Sequence, residues 1–257
     1  MARASLAWLA VPTGMKERID KLLLDRGLVR SRQQAQALIL GGDVLAGDQR
    51  IDKPGTKIES TTEIRLKSAP LPYVSRGGLK LEKALQVFAP DIRDWVCLDI
   101  GASTGGFTDC LLQRGAARVY TIDVGHNQLD WKLRSDPRVV WKEGVNARYL
   151  KFEDVGVTVD LISMDLSFIS LTLVLPVLRP FTRPATRILC LVKPQFEVGK
   201  GNVGKGGVVR DPVLHTEVVA RLRLQAEAWS AEVKDVIDSP LLGSKGNKEF
   251  LFCLQKR

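Results

Sequence analysis

The 257-residue chain has little of what disulfide scaffolds and zinc proteins are built from. Its four cysteines, Cys97, Cys110, Cys190 and Cys253, are far apart, no two have the CxxC spacing, and there are only two histidines. The cysteines therefore read as reduced, small hydrophobes of a cytoplasmic protein, and no metal site is expected. Long apolar runs are also missing: none reaches the roughly 18–20 residues of a spanning helix, so no membrane association is expected. The opening MARASLAWLAVPTG only faintly imitates a signal peptide, because its apolar part is short and broken by Pro12. Residues 1–15 are expected to be a disordered extension.

Negative charge is the other shortage. Asp and Glu number 29 against 38 Lys and Arg, a formal charge of +9 that favours a polyanionic partner such as nucleic acid. Charge alone fits an ordinary basic soluble protein as well. Hydrophobic residues at 45% leave enough material for a large core, and the length suggests one sizeable domain with a small appendage.

The appendage is legible over residues 16–67. Ile19, Leu22 and Leu23 fall on one helical face, Gly27 stops that helix, Ser31 caps a second, and Gly41-Gly42 ends it. Val44 with Leu45, and Ile64 with Leu66, then read as short strands. Arg18, Arg26, Arg30 and Arg32 lie on the helices with few acids opposite, so one side should be positive. The stretch RIDKLLLDRGLVRSRQQAQALILGGDVLAGDQRIDKPG resembles the S4 RNA-binding domain, which implies contact with structured RNA through these basic helices. SAPLPYV, residues 68–74, reads as a linker.

Beyond the linker, residues 75–257 alternate apolar strands (VCLDIG, RVYTIDVG, VDLISMD, RILCLVK and EFLFCL) with helical stretches. That alternation predicts an α/β, Rossmann-like domain with a mainly parallel sheet covered on both faces. Asp99-Ile-Gly101-Ala102-Ser103-Thr104-Gly105-Gly106-Phe107 follows the first strand and opens a helix, where such a sheet binds a nucleotide-like ligand. The spacing is not GxGxxG, and a zwitterionic methionyl group needs no pyrophosphate cradle, so the loop suits S-adenosylmethionine better than a dinucleotide. Asp123, ending the next strand, is placed to accept ribose hydroxyls. Gly199–Lys205 has P-loop spacing, but Gly206 stands where Ser or Thr would bind magnesium. It reads as a mobile basic loop.

Asp165 and Lys193 each end an apolar strand on the ligand side of the sheet, and Glu249 starts the last strand, which reaches the same rim if it runs antiparallel. Lys80 lies early in the helix GGLKLEKALQVF. Sequence alone does not bring these four together. Here SRGGLK, LDIGASTGGFTDCLL, IDVGHNQLDWKL, MDLSFIS, LVKPQFEVG and KGNKEF resemble the hemolysin TlyA group of the FtsJ-like ribose methyltransferases, over nearly the whole chain from Lys16. The resemblance implies an S-adenosylmethionine-dependent 2′-O-methylation of a ribose, a cytidine in ribosomal RNA, with ribosomal RNA or ribosomal subunits as partner. It implies a Lys-Asp-Lys-Glu tetrad at Lys80, Asp165, Lys193 and Glu249, a cofactor loop at Gly101–Gly106, a ribose acid at Asp123 and an adenine-side residue at Asn146. In that reading Lys193 is the base, Asp165 orients it, and Glu249 with Lys80 holds the ribose. Gly77-Gly78-Leu79 departs from the bulkier polar residues expected before the first lysine. A non-catalytic ribosome-assembly factor and a pore-forming hemolysin are the competing readings. Methyl transfer by the purified protein separates them.

Overall fold

A computed structural model describes residues 14–29, 31–67, 71–89, 91–229 and 231–257. Arg30 and residues 1–13 of the expected extension lie outside the described residues. The chain divides between Leu71 and Pro72 into two compact units.

The first unit contains β1 (Lys16–Arg18), α1 (Ile19–Asp25), α2 (Arg32–Gly41), β2 (Val44–Ala46), β3 (Gln49–Ile51), β4 (Lys57–Glu59) and β5 (Ile64–Leu66). Both helix boundaries follow the local chemistry. Ser31 Oγ accepts from Gln34 N at 3.1 Å, and Gly42 ends α2 in the left-handed conformation at φ 73°. Ile19, Leu22 and Leu23 pack with Ala35, Ile39, Val44 and Ile64 into the unit's own core. β2 lies between β3 and β5, antiparallel to both. The pair β1–β4 is not legible in sequence, since three-residue strands carry no period.

Of the arginines expected to face RNA, Arg18, Arg26 and Arg32 prove to have structural partners first. Asp20 is fully buried, and its carboxylate accepts from Arg18 at 3.0 and 2.8 Å and from Arg32 at 3.1 Å. Arg18 above all holds this carboxylate well below the usual range. Arg26 donates to Thr62 O at 2.7 Å and Ser60 O at 2.6 Å. The expectation of few acidic neighbours is thus corrected for Arg18 and Arg32: one buried acid anchors both, while about half of each side chain stays exposed.

The second unit contains α3 (Gly77–Phe88), β6 (Val96–Ile100), α4 (Gly106–Gln113), β7 (Arg118–Ile122), α5 (Trp131–Arg134), β8 (Val139–Lys142), β9 (Leu161–Met164), α6 (Leu171–Val174), β10 (Arg187–Val192), α7 (Pro194–Glu197), α8 (Pro212–Ala228), β11 (Ala231–Asp238) and β12 (Phe250–Lys256). The sheet order is β11-β12-β10-β9-β6-β7-β8. β6 through β10 run parallel and β12 antiparallel, so its first residues reach the rim where the parallel strands end. Strand residues alternate between two cores. Leu98, Ile100, Ile162 and Cys190 join α6 and α8, while Cys97, Val119, Leu161 and Leu189 join α3 and α4. The four cysteines are free and buried in these layers.

The linker is shorter than expected, because Tyr73 is buried against α3 and Val74 N donates to Asp109 Oδ2 at 2.9 Å. β8 and β11 went unread in the sequence. Both are edge strands: β8 is a run of only three apolar residues, mostly exposed, and β11 mixes charged with apolar residues, so neither carries the longer apolar run that marked the others. Among the described residues no helix is long and apolar enough to cross a membrane.

Candidate active site

The chain turns one way from β6 to β7 and the other way to β9, so a crevice opens beyond β6 and β9 at the carboxyl rim. Gly101, just past β6, has φ 84°, and a Cβ there would sit 2.6 Å from Asp165 O just past β9. Glycine is required at that point both by the backbone angle and by the contact. A cleft of about 380 Å³ opens here, within the range of small-ligand sites. Gly101, Ala102, Ser103, Thr104, Gly106, Phe107, Lys80, Asp165 and Lys193 line it.

Two ion pairs organise the cleft. Lys80 Nζ donates to Glu249 Oε2 at 2.6 Å, with both side chains largely buried. Glu249 therefore enters the site through Lys80, and it lies against Gly243, where a Cβ would meet Glu249 Oε1 at 1.9 Å. Lys193 Nζ lies 2.6 Å from Asp165 Oδ1 and donates to Ser167 Oγ at 2.9 Å. The Asp165 contact is an ion pair outside hydrogen-bond angles, so this buried oxygen keeps its accepting capacity.

Other expected residues sit differently. Asp123 Oδ2 accepts from Ser103 N and Oδ1 from Gly125 N, both at 2.7 Å, so the acid first fixes the cofactor loop. Each oxygen retains a second lone pair for a ribose hydroxyl. Gly105, at φ 95°, faces α5, where a Cβ would strike Leu133. Asn146 is exposed and caps the turn at 147–149 through Arg148 N at 3.0 Å, outside the cleft lining. Asp99 is corrected from a ligand contact to a buried support. It is fully enclosed, accepting from Thr108 Oγ1 at 2.7 Å and Ser163 Oγ at 2.9 Å, and desolvation pushes its pKa up to about 7.

Asp99 makes stability depend on pH. A carboxyl with a folded pKa near 7 favours the folded state while protonated, so its contribution is full below its ordinary range and fades as pH rises through about 7. Burial of Glu197 shifts that acid in the same direction. Asp99→Asn should flatten the decline: the parent should lose more thermal stability between pH 5 and 8 than the variant, by a few kcal/mol at most. Equal pH slopes in thermal unfolding would contradict the assignment.

Sequence reasoning missed Ser75, Arg76, Ser167, Gly243 and Ser244 in the lining. The Ser-Arg-Gly-Gly and Gly-Ser-Lys-Gly stretches, and MDLSFIS around Ser167, were their signals. Within the P-loop-like segment Gly204 N donates to Val208 O at 3.2 Å, and just beyond it the buried Asn247 donates to Gly207 O at 2.9 Å and accepts from Val209 N at 3.0 Å.

Residues 73–256 match the FtsJ-like methyltransferase model, and residues 17–64 match the S4 domain. The chain belongs to the FtsJ-like methyltransferase family. Among the relatives of this FtsJ-like chain, YqxC of Bacillus subtilis (strain 168) is 49% identical over 243 residues, covering 94% of this chain and 86% of YqxC. The 16S/23S rRNA (cytidine-2′-O)-methyltransferase TlyA of Mycobacterium tuberculosis (strain ATCC 25618 / H37Rv) is 48% identical over 241 residues, covering 93% of this chain and 90% of that protein. A solved Streptococcus thermophilus structure whose name carries the word hemolysin is 46% identical, with a TM-score of 0.73 over 94% of this chain and 88% of that one.

Proposed function

We propose that the chain transfers a methyl group from S-adenosylmethionine to the 2′-hydroxyl of a cytidine ribose in ribosomal RNA, in the cytoplasm. One observation carries the reading: Lys80, Asp165 and Lys193 line a single cleft with the Gly101–Phe107 loop, and Glu249 stands buried behind Lys80 as its ion-pair partner. The donor set fits the cofactor. The loop brings backbone close to the crevice at Gly101, and Asp123 has acceptor capacity for a ribose. When bound, S-adenosylmethionine supplies an electrophilic methyl on a sulfonium.

A ribose hydroxyl is a weak nucleophile at neutral pH, so positioning and proton removal carry the rate. Lys193 Nζ, which lines the cleft, would take up the 2′-hydroxyl proton, and the bound cofactor would supply the methyl group. Asp165 and Ser167 fix where Nζ stands. Glu249, held by Lys80, offers a carboxylate to the ribose. Phe168 follows Ser167 with 91% of its surface exposed and a positive φ of 64°, and it leans on Phe196 at 5.0 Å. An exposed aromatic in a costly backbone conformation beside the reacting groups suits a stacking platform for an RNA base.

Methyl transfer tests the reading. Purified protein with methyl-labelled S-adenosylmethionine should label ribosomal RNA or ribosomal subunits, and the label should survive alkali in a dinucleotide, as a 2′-O-methyl linkage does. Absence of label on both substrates would overturn it.

A further inference from the structure

A second recess adjoins the catalytic cleft. It has a volume of about 350 Å³ and is lined by Val208, Val209, Arg210, Pro212, His215, Lys245, Gly246 and Lys248. The two hollows are neighbours along the chain: Gly243 and Ser244 line the cleft, and Lys245 and Gly246 line the recess. One buried side chain joins the recess walls, because the Asn247 amide reaches Gly207 O at 2.9 Å, Ser244 O at 3.1 Å and Val209 N at 3.0 Å. Asn247 is also only two residues before Glu249, so the recess and the catalytic pairs share one support.

The walls have a division of labour. Val208, Val209 and Pro212 are apolar, and the His215 ring is set by Nε2 at 3.0 Å from Val209 O and by Phe250 at 5.6 Å. Arg210 and Lys245 are exposed at the rim, and neither has a carboxylate within ion-pair distance among the described residues. Lys248 is a third cation, shared with Asp238 at 3.0 Å and with the Phe250 ring at 5.1 Å. Lys245 carries a further signature: φ 56° and ψ 19° put a long side chain in the left-handed region, between two residues of a Gly-Ser-Lys-Gly turn where glycine would be unstrained. Such strain persists where the residue has work to do.

We infer that this recess binds the RNA strand next to the methylated nucleotide, with Arg210 and Lys245 on backbone phosphates and the apolar wall with His215 against a sugar or base. This rests on the reading of the chain as an RNA ribose methyltransferase and adds the surface that holds the flanking nucleotide. Apolar walls under a cationic rim match a nucleotide, which has an apolar face and an anionic edge.

The double variant Arg210→Gln, Lys245→Gly removes both charges, and glycine at 245 relieves the backbone, so folding is retained. Full-length protein should bind a ribosomal RNA fragment roughly ten- to a hundredfold more weakly, with the salt slope reduced by about two. The KM for RNA should rise, while kcat at saturating RNA and affinity for S-adenosylmethionine stay within about twofold of the parent. Lys245→Arg should keep parental binding. Unchanged RNA affinity and salt slope in the double variant, or a fall in kcat alone, would overturn the inference. If the parent methylates no RNA the functional reading fails, whereas a methylating parent with an unaffected double variant condemns only the recess.

Discussion

Lys193→Met should leave thermal stability and S-adenosylmethionine affinity near the parent and cut single-turnover methylation at least about 100-fold, the usual loss with a general base. The reason is local. Lys193 follows β10, its Nζ stands between Asp165 and Ser167, and methionine keeps most of the aliphatic stem that fills this place. Truncation leaves the buried Oδ1 of Asp165 without its cation, while the side chain as a whole stays partly exposed, so the carboxyl keeps some contact with solvent. Lys193→Arg should fail too, because a guanidinium stays protonated and takes no proton from a hydroxyl. Near-parental single-turnover rates in either variant would remove Lys193 from the role of base and leave Lys80 as the candidate.

Removing residues 1–67 should weaken binding to ribosomal RNA by roughly a hundredfold at physiological salt and flatten its salt dependence. Affinity for S-adenosylmethionine should not change. The two units have separate hydrophobic cores, so the remaining domain keeps its own packing. Arg18 and Arg32 retain exposed donors beyond those given to Asp20, and Asp20 holds both in one place for phosphate contacts. Titrating RNA against both proteins over a range of salt decides the matter: coincident curves would deny the first unit its part in RNA binding.

The parts legible in sequence were those in which chemistry and period coincide. Apolar strands ending in a charge announced Asp165 and Lys193, and the glycine loop behind LDIG announced the cleft. Ser31 and Gly42 marked helix ends by their own hydrogen bonding and backbone freedom. Pairing across long separations was not legible. Nothing between Lys80 and Glu249 foretells a 2.6 Å contact over 169 positions, and nothing near Asp20 says that one buried acid serves two arginines. Asp99 misled for a related reason: its motif neighbours contact the cleft, but strand alternation turns its side chain toward Thr108 and Ser163.

The enclosure of the cysteines gives the molecule a silent thiol background. Burial pushes the Cys110 thiol up to about 12 and Cys253 up to about 11, and shifts Cys97 and Cys190 upward as well, so the folded chain presents no thiolate for an alkylating reagent. Modification by such a reagent then requires opening of the sheet layers, and its rate serves as a clock for that opening. A single cysteine introduced on the surface, for a fluorophore or a crosslink to RNA, would be the sole reactive thiol without any native cysteine having to be replaced.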